Sequence, residues 1–219
     1  MPAVRLVSLA ILLLGTTPAV ADDYQLAKVT ALPEGVPTEL QQVLSPQGQQ
    51  VTGSSGPVCE FWFAKSFEVR EGFTPTLSVK YPLVPGSFVG LLRVVRPEEF
   101  TDFRGQELLE GIYTLRYGQQ PEDGNHIGTS ELADFLLAIP MEQDTSTKII
   151  DSADDVNSKS AEAAGTTHPA IFSLLPIEQA ADAPSLAHDE KQEFWILQIG
   201  TDGTRKTGLR MVVIGFTEA

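Results

Sequence analysis

The chain has 219 residues, a formal net charge of −14, and one cysteine. Acidity of this size opposes nucleic acid and anionic membrane surfaces, and no Lys/Arg cluster offsets it. A lone cysteine allows no intrachain disulfide, and no segment is long and apolar enough for a transmembrane helix, which needs about 20 residues.

The N-terminus has the layout of a secretory signal peptide. Met1 to Arg5 give a short, weakly basic start, Leu6 to Leu14 are apolar, and Pro18-Ala19-Val20-Ala21 ends in an A-x-A cleavage pattern. Cleavage is expected after Ala21, with no membrane span and a periplasmic or extracellular destination. The alternative is a buried N-terminal helix. Removal of 1–21 leaves 198 residues and takes Arg5 with it, so the charge becomes −15. A chain of that length builds a core without disulfide staples, and 22–219 is expected to be a single domain with an N-terminal strand and helix extension.

A first strand is expected near Lys28 to Leu32. Thr38 with Gln41 three residues on fits a capping box, and Leu40, Val43 and Leu44 share one face of a short helix that ends at Ser45-Pro46. From Val58 onward, runs of β-prone residues alternate with Gly, Pro and Asp. They predict strands over Val58–Phe63, Thr76–Tyr81, Phe88–Val95, Ile112–Tyr117, Ala133–Ile139, Ala170–Leu175, Glu193–Ile199 and Leu209–Phe216. Prolines 75, 82, 97, 140, 169 and 176 stand at their ends, where a missing N–H does least harm.

Tyr113, Leu115 and Tyr117 alternate with Thr114 and Arg116, and Leu77, Val79 and Tyr81 with Thr76, Ser78 and Lys80. Such alternation predicts an antiparallel sheet with one wet face. The last two strands are apolar on both faces, and Thr201-Asp202-Gly203-Thr204 between them signals a hairpin. Ala153 to Ala164 is expected to be a peripheral helix, capped by Asp151 or Ser152 and ended by Gly165. Glu178 to Glu190 reads as an exposed loop. With no helix between most strands, parallel βαβ units are disfavoured. The fold class is mainly β, an antiparallel β-sandwich of Ig-like or transthyretin-like outline with one or two short peripheral helices.

Gly105-x-x-Leu108-x-x-Gly111-x-Tyr113-x-Leu115 is the strongest local pattern. The segments Gly111–Tyr117, Asp123–His126, Asp134–Leu137 and Thr167-His168-Pro169-Ala170 together resemble uncharacterised families of secreted bacterial proteins. In those families a Gly-x-Tyr-Thr-Leu strand precedes an Asp-Gly-Asn-His loop. The resemblance runs from about Phe100 to Leu175. It implies an Ig-like or transthyretin-like sandwich and assigns no activity.

The loop from Gln119 to Leu132 holds the candidate ligand-binding residues Asp123, Asn125 and His126. One reading is structural: Pro121-Glu122-Asp123-Gly124-Asn125 is rich in turn formers whose side chains bond their own backbone. The other is a cation site. His126 and Asp134, with His168 if its loop reaches the same end, supply nitrogen and oxygen ligands suited to zinc or another divalent metal. Neither H-x-H nor H-E-x-x-H spacing occurs. His188 reads as a solvated loop histidine, and Cys59, alternating with Phe61 and Phe63, as a buried small apolar residue.

Catalytic signatures are sparse. The chain has no G-x-S-x-G elbow, phosphate cradle or dinucleotide fingerprint. Adjacent carboxylates such as Glu98-Glu99 point to opposite faces of a strand and make no acid–base pair. Trp62 and Trp195 would suit sugar stacking if exposed, but both lie in apolar runs that favour core packing. The sequence therefore predicts an exported, non-catalytic binding or structural protein whose partner is a protein, glycan or small molecule. A metal-binding protein or metal-dependent enzyme built on His126, Asp134 and His168 is the alternative.

Overall fold

The computed structural model describes residues 23–120, 132–177, 179, 181–200 and 207–217. These form ten antiparallel strands and two α-helices. The strands are β1 (Gln25–Val29), β2 (Gly48–Gly53), β3 (Gly56–Phe63), β4 (Phe88–Val94), β5 (Gly111–Gln119), β6 (Asp134–Pro140), β7 (Ile171–Ser173), β8 (Ser185–Asp189), β9 (Phe194–Ile199) and β10 (Leu209–Ile214). The helices are α1 (Thr38–Val43) and α2 (Ala153–Ala164).

Strands β1 to β7 form one sheet in sequence order, and β10-β9-β8 form a second. The mainly-β, antiparallel sandwich expected from the strand pattern is what the chain adopts. Its connectivity is a meander, in which each strand pairs with the next. An Ig sandwich divides its strands between sheets by Greek-key crossings, and the seven-strand order here contains no such crossing.

One core serves both sheets. Phe61 and Cys59 of β3, Leu92 and Val94 of β4, Tyr113, Leu115 and Tyr117 of β5, and Leu136 of β6 share the inner face through register. They join Leu197, Ile199, Leu209 and Met211 from the small sheet in a single buried cluster. Cys59 belongs to this core as expected, and burial pushes its thiol well above the ordinary range, which keeps it neutral and unreactive.

The other face of the large sheet is not wet. Thr114 and Arg116 are fully buried, contrary to the alternation-based expectation. The reason is the crossover from β6 through 141–150 to α2, which lies over that face. Val156 of α2 packs on Leu137 and Ile139 of β6. Arg116 uses all five of its N–H donors, four on the crossover and one on the Gly86 carbonyl ahead of β4. Nε and Nη2 grip both oxygens of Asp144 at 2.7 Å, Nη1 donates to the carbonyls of Gly86 (3.0 Å) and Lys148 (2.7 Å), and Nη2 also donates to the carbonyl of Ser146. Thr114 Oγ1 donates to the same carboxylate. A charge buried this deeply persists only when so fully paired.

Other local details follow the sequence or depart from it for clear reasons. Helix α2 begins with Ser152 accepting from the Asp155 N–H at 3.2 Å and ends at Gly165 in the left-handed region, φ 62°. Helix α1 lacks the expected capping box. Its N-cap is Pro37 with no side-chain cap, and Gln41 Nε2 reaches back to the Val36 carbonyl at 2.7 Å instead. The first strand lies a few residues earlier than expected. Strands β2 and β8 were not foreseen, because GQQVTG and SLAHD are short, half-polar edge or near-edge strands with weak alternation. Gly48 in β2 is needed because a Cβ there would sit 2.5 Å from Trp62 Nε1. The run Thr76–Tyr81, expected to be a strand, belongs to an irregular strap, 65–84. The strap doubles back through a Val69–Leu83 bridge and the Arg70 N–H to Pro82 carbonyl bond.

Candidate functional site

Asp134 is the one proposed site residue at the mouth of the 119–132 loop that the structure describes. It opens β6 opposite Gln119 of β5 and is fully buried. Its carboxylate is enclosed by protein donors. Oδ2 accepts the Lys80 N–H at 2.5 Å, Oδ1 accepts the Tyr117 hydroxyl at 2.5 Å, and the Tyr81 N–H also donates to it. Gln119 Nε2 donates to the Tyr117 oxygen at 2.8 Å. The Ala133 N–H binds the Ser78 carbonyl, so two adjacent residues of the β6 entry hold the strap tip.

Burial raises the Asp134 pKa above the ordinary carboxylate value, opposed by the Tyr117, Lys80 and Tyr81 donors and by the Arg70 charge. Burial also pushes the Tyr117 phenol up, and its bond to Asp134 adds to the rise. The arrangement holds Tyr117 as a donor and Asp134 as an acceptor. Chemically it is a latch that carries the strap on the sheet.

Tyr81 extends the latch. Its hydroxyl donates to the Leu175 carbonyl at 2.7 Å and accepts the Arg210 N–H at 3.0 Å. The phenol thereby spans the junction between the end of β7 and β10, beside the Leu174–Met211 bridge and the Leu175 N–H to Arg210 carbonyl bond of 2.8 Å. Arg70 Nη2 donates to the Tyr81 carbonyl at 2.9 Å while its guanidinium lies 4.5 Å from the Phe73 ring centroid.

The other proposed site residues fall elsewhere. Asp123, Asn125 and His126 lie outside the described residues. His168 is exposed in the turn between α2 and β7, where Thr166 Oγ1 donates to its carbonyl and accepts its N–H, both at 3.0 Å. Two residues on, the Ala170 carbonyl accepts the Ala138 N–H. Ala138 stands four residues along β6 from Asp134, a run of roughly 13 Å at the rise of an extended strand. The structure thus places His168 toward the opposite end of β6. An exposed imidazole there and an enclosed carboxylate here do not share the ~2 Å bonds of one zinc ion. Among the described residues, no group of three or more His, Cys, Asp or Glu side chains is placed to hold a metal.

Two aromatic expectations divide. Trp62 is buried in the core. Trp195 is only partly buried, and His188, expected to be solvated, stacks on it with ring centroids 4.6 Å apart and planes at 8°. The reason is β8, which pairs His188 directly opposite Trp195.

A shallow groove of about 260 Å³ lies on the outer face of the small sheet. Its floor is a cross-strand row, Ser185–Gln198–Arg210, with Ala187 and Ile196 alongside, and Gln179 forms a wall. Gln198 Nε2 donates to the Gln179 carbonyl at 2.7 Å and Arg210 Nη1 to the Pro176 carbonyl at 3.3 Å. A floor of hydroxyl, amide and guanidinium groups flanked by two apolar side chains suits a polar small molecule. The groove was not legible in the sequence because Gln179, Ser185 and Ala187 lie in the stretch read as an exposed loop, where β8 completes the three-strand face.

Comparison with protein-family models, with curated proteins and with solved structures finds no match to this chain.

Proposed function

We propose that this is an exported, non-catalytic binding protein in which a rigid β-sandwich carries its recognition surfaces on loops and on the outer face of the small sheet. The observation that carries this reading is how the buried charges are used. Asp134 latches the strap, and Asp144 with Arg116 fixes the crossover. Asp102 accepts from the N–H groups of Arg104, Gln106 and Ile171 and so ties the 100–108 loop to β7. Each joins distant stretches of chain through its own hydrogen bonds, the pattern of groups that stabilise a scaffold.

Export rests on the 1–21 signal layout, and the resemblance to secreted bacterial sandwich proteins supports the same destination. Recognition falls to the groove around Gln198 and to the loop between β5 and β6. The test is in two parts. N-terminal sequencing of protein recovered from the periplasm or medium should begin at Asp22, and retention of Met1 in the cytoplasm would contradict export. NMR titration with a panel of monosaccharides, small carboxylates and divalent cations should give saturable shifts at the groove or loop. Shifts confined to His126 with a divalent cation would favour the metal-binding alternative.

A further inference from the structure

The groove on the small sheet is set by strand register. Gln198 of β9 stands opposite Ser185 of β8 on one side and Arg210 of β10 on the other, so three polar side chains form one cross-strand row. Two residues back along β9, Ile196 stands opposite Ala187, and the two rows lie about 7 Å apart on the same face. Ile196 belongs to a buried cluster with Phe103, Phe194 and Val212, which holds the apolar side of the groove in place. The groove, about 260 Å³, is smaller than the ~300–1,000 Å³ of sites that enclose drug-sized ligands. It has room for a single small ring.

The row offers hydrogen bonds of a particular kind. Gln198 Nε2 donates to the Gln179 carbonyl at 2.7 Å, which fixes the amide and leaves Oε1 as an acceptor. Ser185 is exposed, and its hydroxyl can both donate and accept. Among the described residues, neither Gln198 Oε1 nor Ser185 Oγ has a protein hydrogen-bond partner. At the other end of the row the guanidinium is turned to the chain's own backbone, Arg210 Nη1 donating to the Pro176 carbonyl at 3.3 Å. A net charge of −14 gives no long-range attraction for an anion.

We propose that the groove binds an uncharged, hydroxyl-rich molecule of one ring, a monosaccharide in size and chemistry. One ring hydroxyl donates to Gln198 Oε1, a neighbouring hydroxyl exchanges hydrogen bonds with Ser185 Oγ, and the C–H face of the ring lies over Ile196 and Ala187. This inference rests on the reading of the chain as a binding protein with the groove as a recognition surface, and it adds the class of ligand. A carboxylate would depend instead on Arg210, at the opposite end of the row. So shallow a site with so small a ligand implies weak binding, with a Kd on the order of 1 mM.

The test is a two-dimensional NMR titration of the mature chain with glucose, galactose, mannose and myo-inositol, and in parallel with acetate, succinate and glutamate. At least one neutral ring compound should give saturable shifts of the Ser185, Ala187, Ile196 and Gln198 amides and of the Gln198 side-chain NH2 pair. Gln198→Ala should weaken that binding roughly three- to tenfold, the range expected for one lost hydrogen bond. Ser185→Ala, at an exposed edge-strand position that does not bear on folding, should weaken it by a similar factor. Affinity unchanged in both variants would overturn the proposal. Saturable groove shifts with the carboxylates alone would refute the ligand class and leave the binding-protein reading standing. A groove that none of the probes moves would sink the inference and remove the groove from that reading as well.

Discussion

The two seams of this sandwich solve one problem by different means. At β7–β10 the sheets are joined by backbone bonds, and where the strands diverge the Tyr81 hydroxyl stands in for a missing rung between Leu175 and Arg210. At β1–β8 the sheets meet through side chains, with Tyr24 set edge to face on Trp195. Hydrogen bonds are directional and costly to leave unmade in a buried place, whereas aromatic contacts tolerate small displacements. The first seam therefore behaves as part of the core. The second is where the ring of strands gives way first. The candidate site is tied to the firm side, since Tyr81 belongs both to the β7–β10 joint and to the strap that Asp134 holds.

Substitutions can break this contrast in order of size. Arg116→Leu, remote from both seams, sets the upper end of the scale: it strands the Asp144 carboxylate in the interior and should cost about 3–5 kcal/mol in urea unfolding. Tyr81→Phe should cost about 1–3 kcal/mol, because the Leu175 carbonyl and Arg210 N–H lose their shared partner. Across the other seam, a double-mutant cycle between Tyr24 and Trp195 should give a coupling of only about 0.5–1.5 kcal/mol. A coupling there larger than the Tyr81→Phe loss would reverse the ranking.

Acidity sharpens the picture further. Burial raises the Asp134 pKa, so its contribution to stability is fully present below the ordinary carboxylate value and is lost as pH rises through the folded-state value. Asp134→Asn should flatten the decline in stability that begins near pH 4 and continues upward. Glu39 has the opposite sign. The Thr147 N–H, followed by the Ser146 and Thr147 hydroxyls, lowers its pKa, so its contribution is present above the ordinary carboxylate range and lost as pH falls through the folded value. Glu39→Gln should remove a small part of the acid sensitivity, readable as a reduced shift in the urea midpoint between pH 6 and pH 3.

Much of the architecture was legible in the residues, and the gaps have physical causes. Strands β3 to β6, β9 and β10 are long and β-prone, so their apolar runs announced them. Ser152 and Gly165 marked the ends of α2 by local chemistry that needs no tertiary context. Arg116 misled because alternation reports which residues share a face and is silent on what covers that face. Its cover is a crossover whose key residue, Asp144, carries no local signal. Asp134 was legible as a site residue only through its place after the loop. Its partners, Lys80 and Tyr81, come from more than 50 residues earlier in a strap whose apolar alternation imitates a strand. His188 was misread with β8, since SLAHD between polar turns has too little apolar content to predict a strand.

The most direct measurement is native-state hydrogen exchange of the two seams in one sample. The Leu175 and Arg210 amides should exchange only with the opening that exposes the common core. The β1 amides bonded to β2 and the β8 amides bonded to β9 should exchange through a smaller, local opening. Equal protection at the two seams, or greater protection at β1 and β8, would contradict the account.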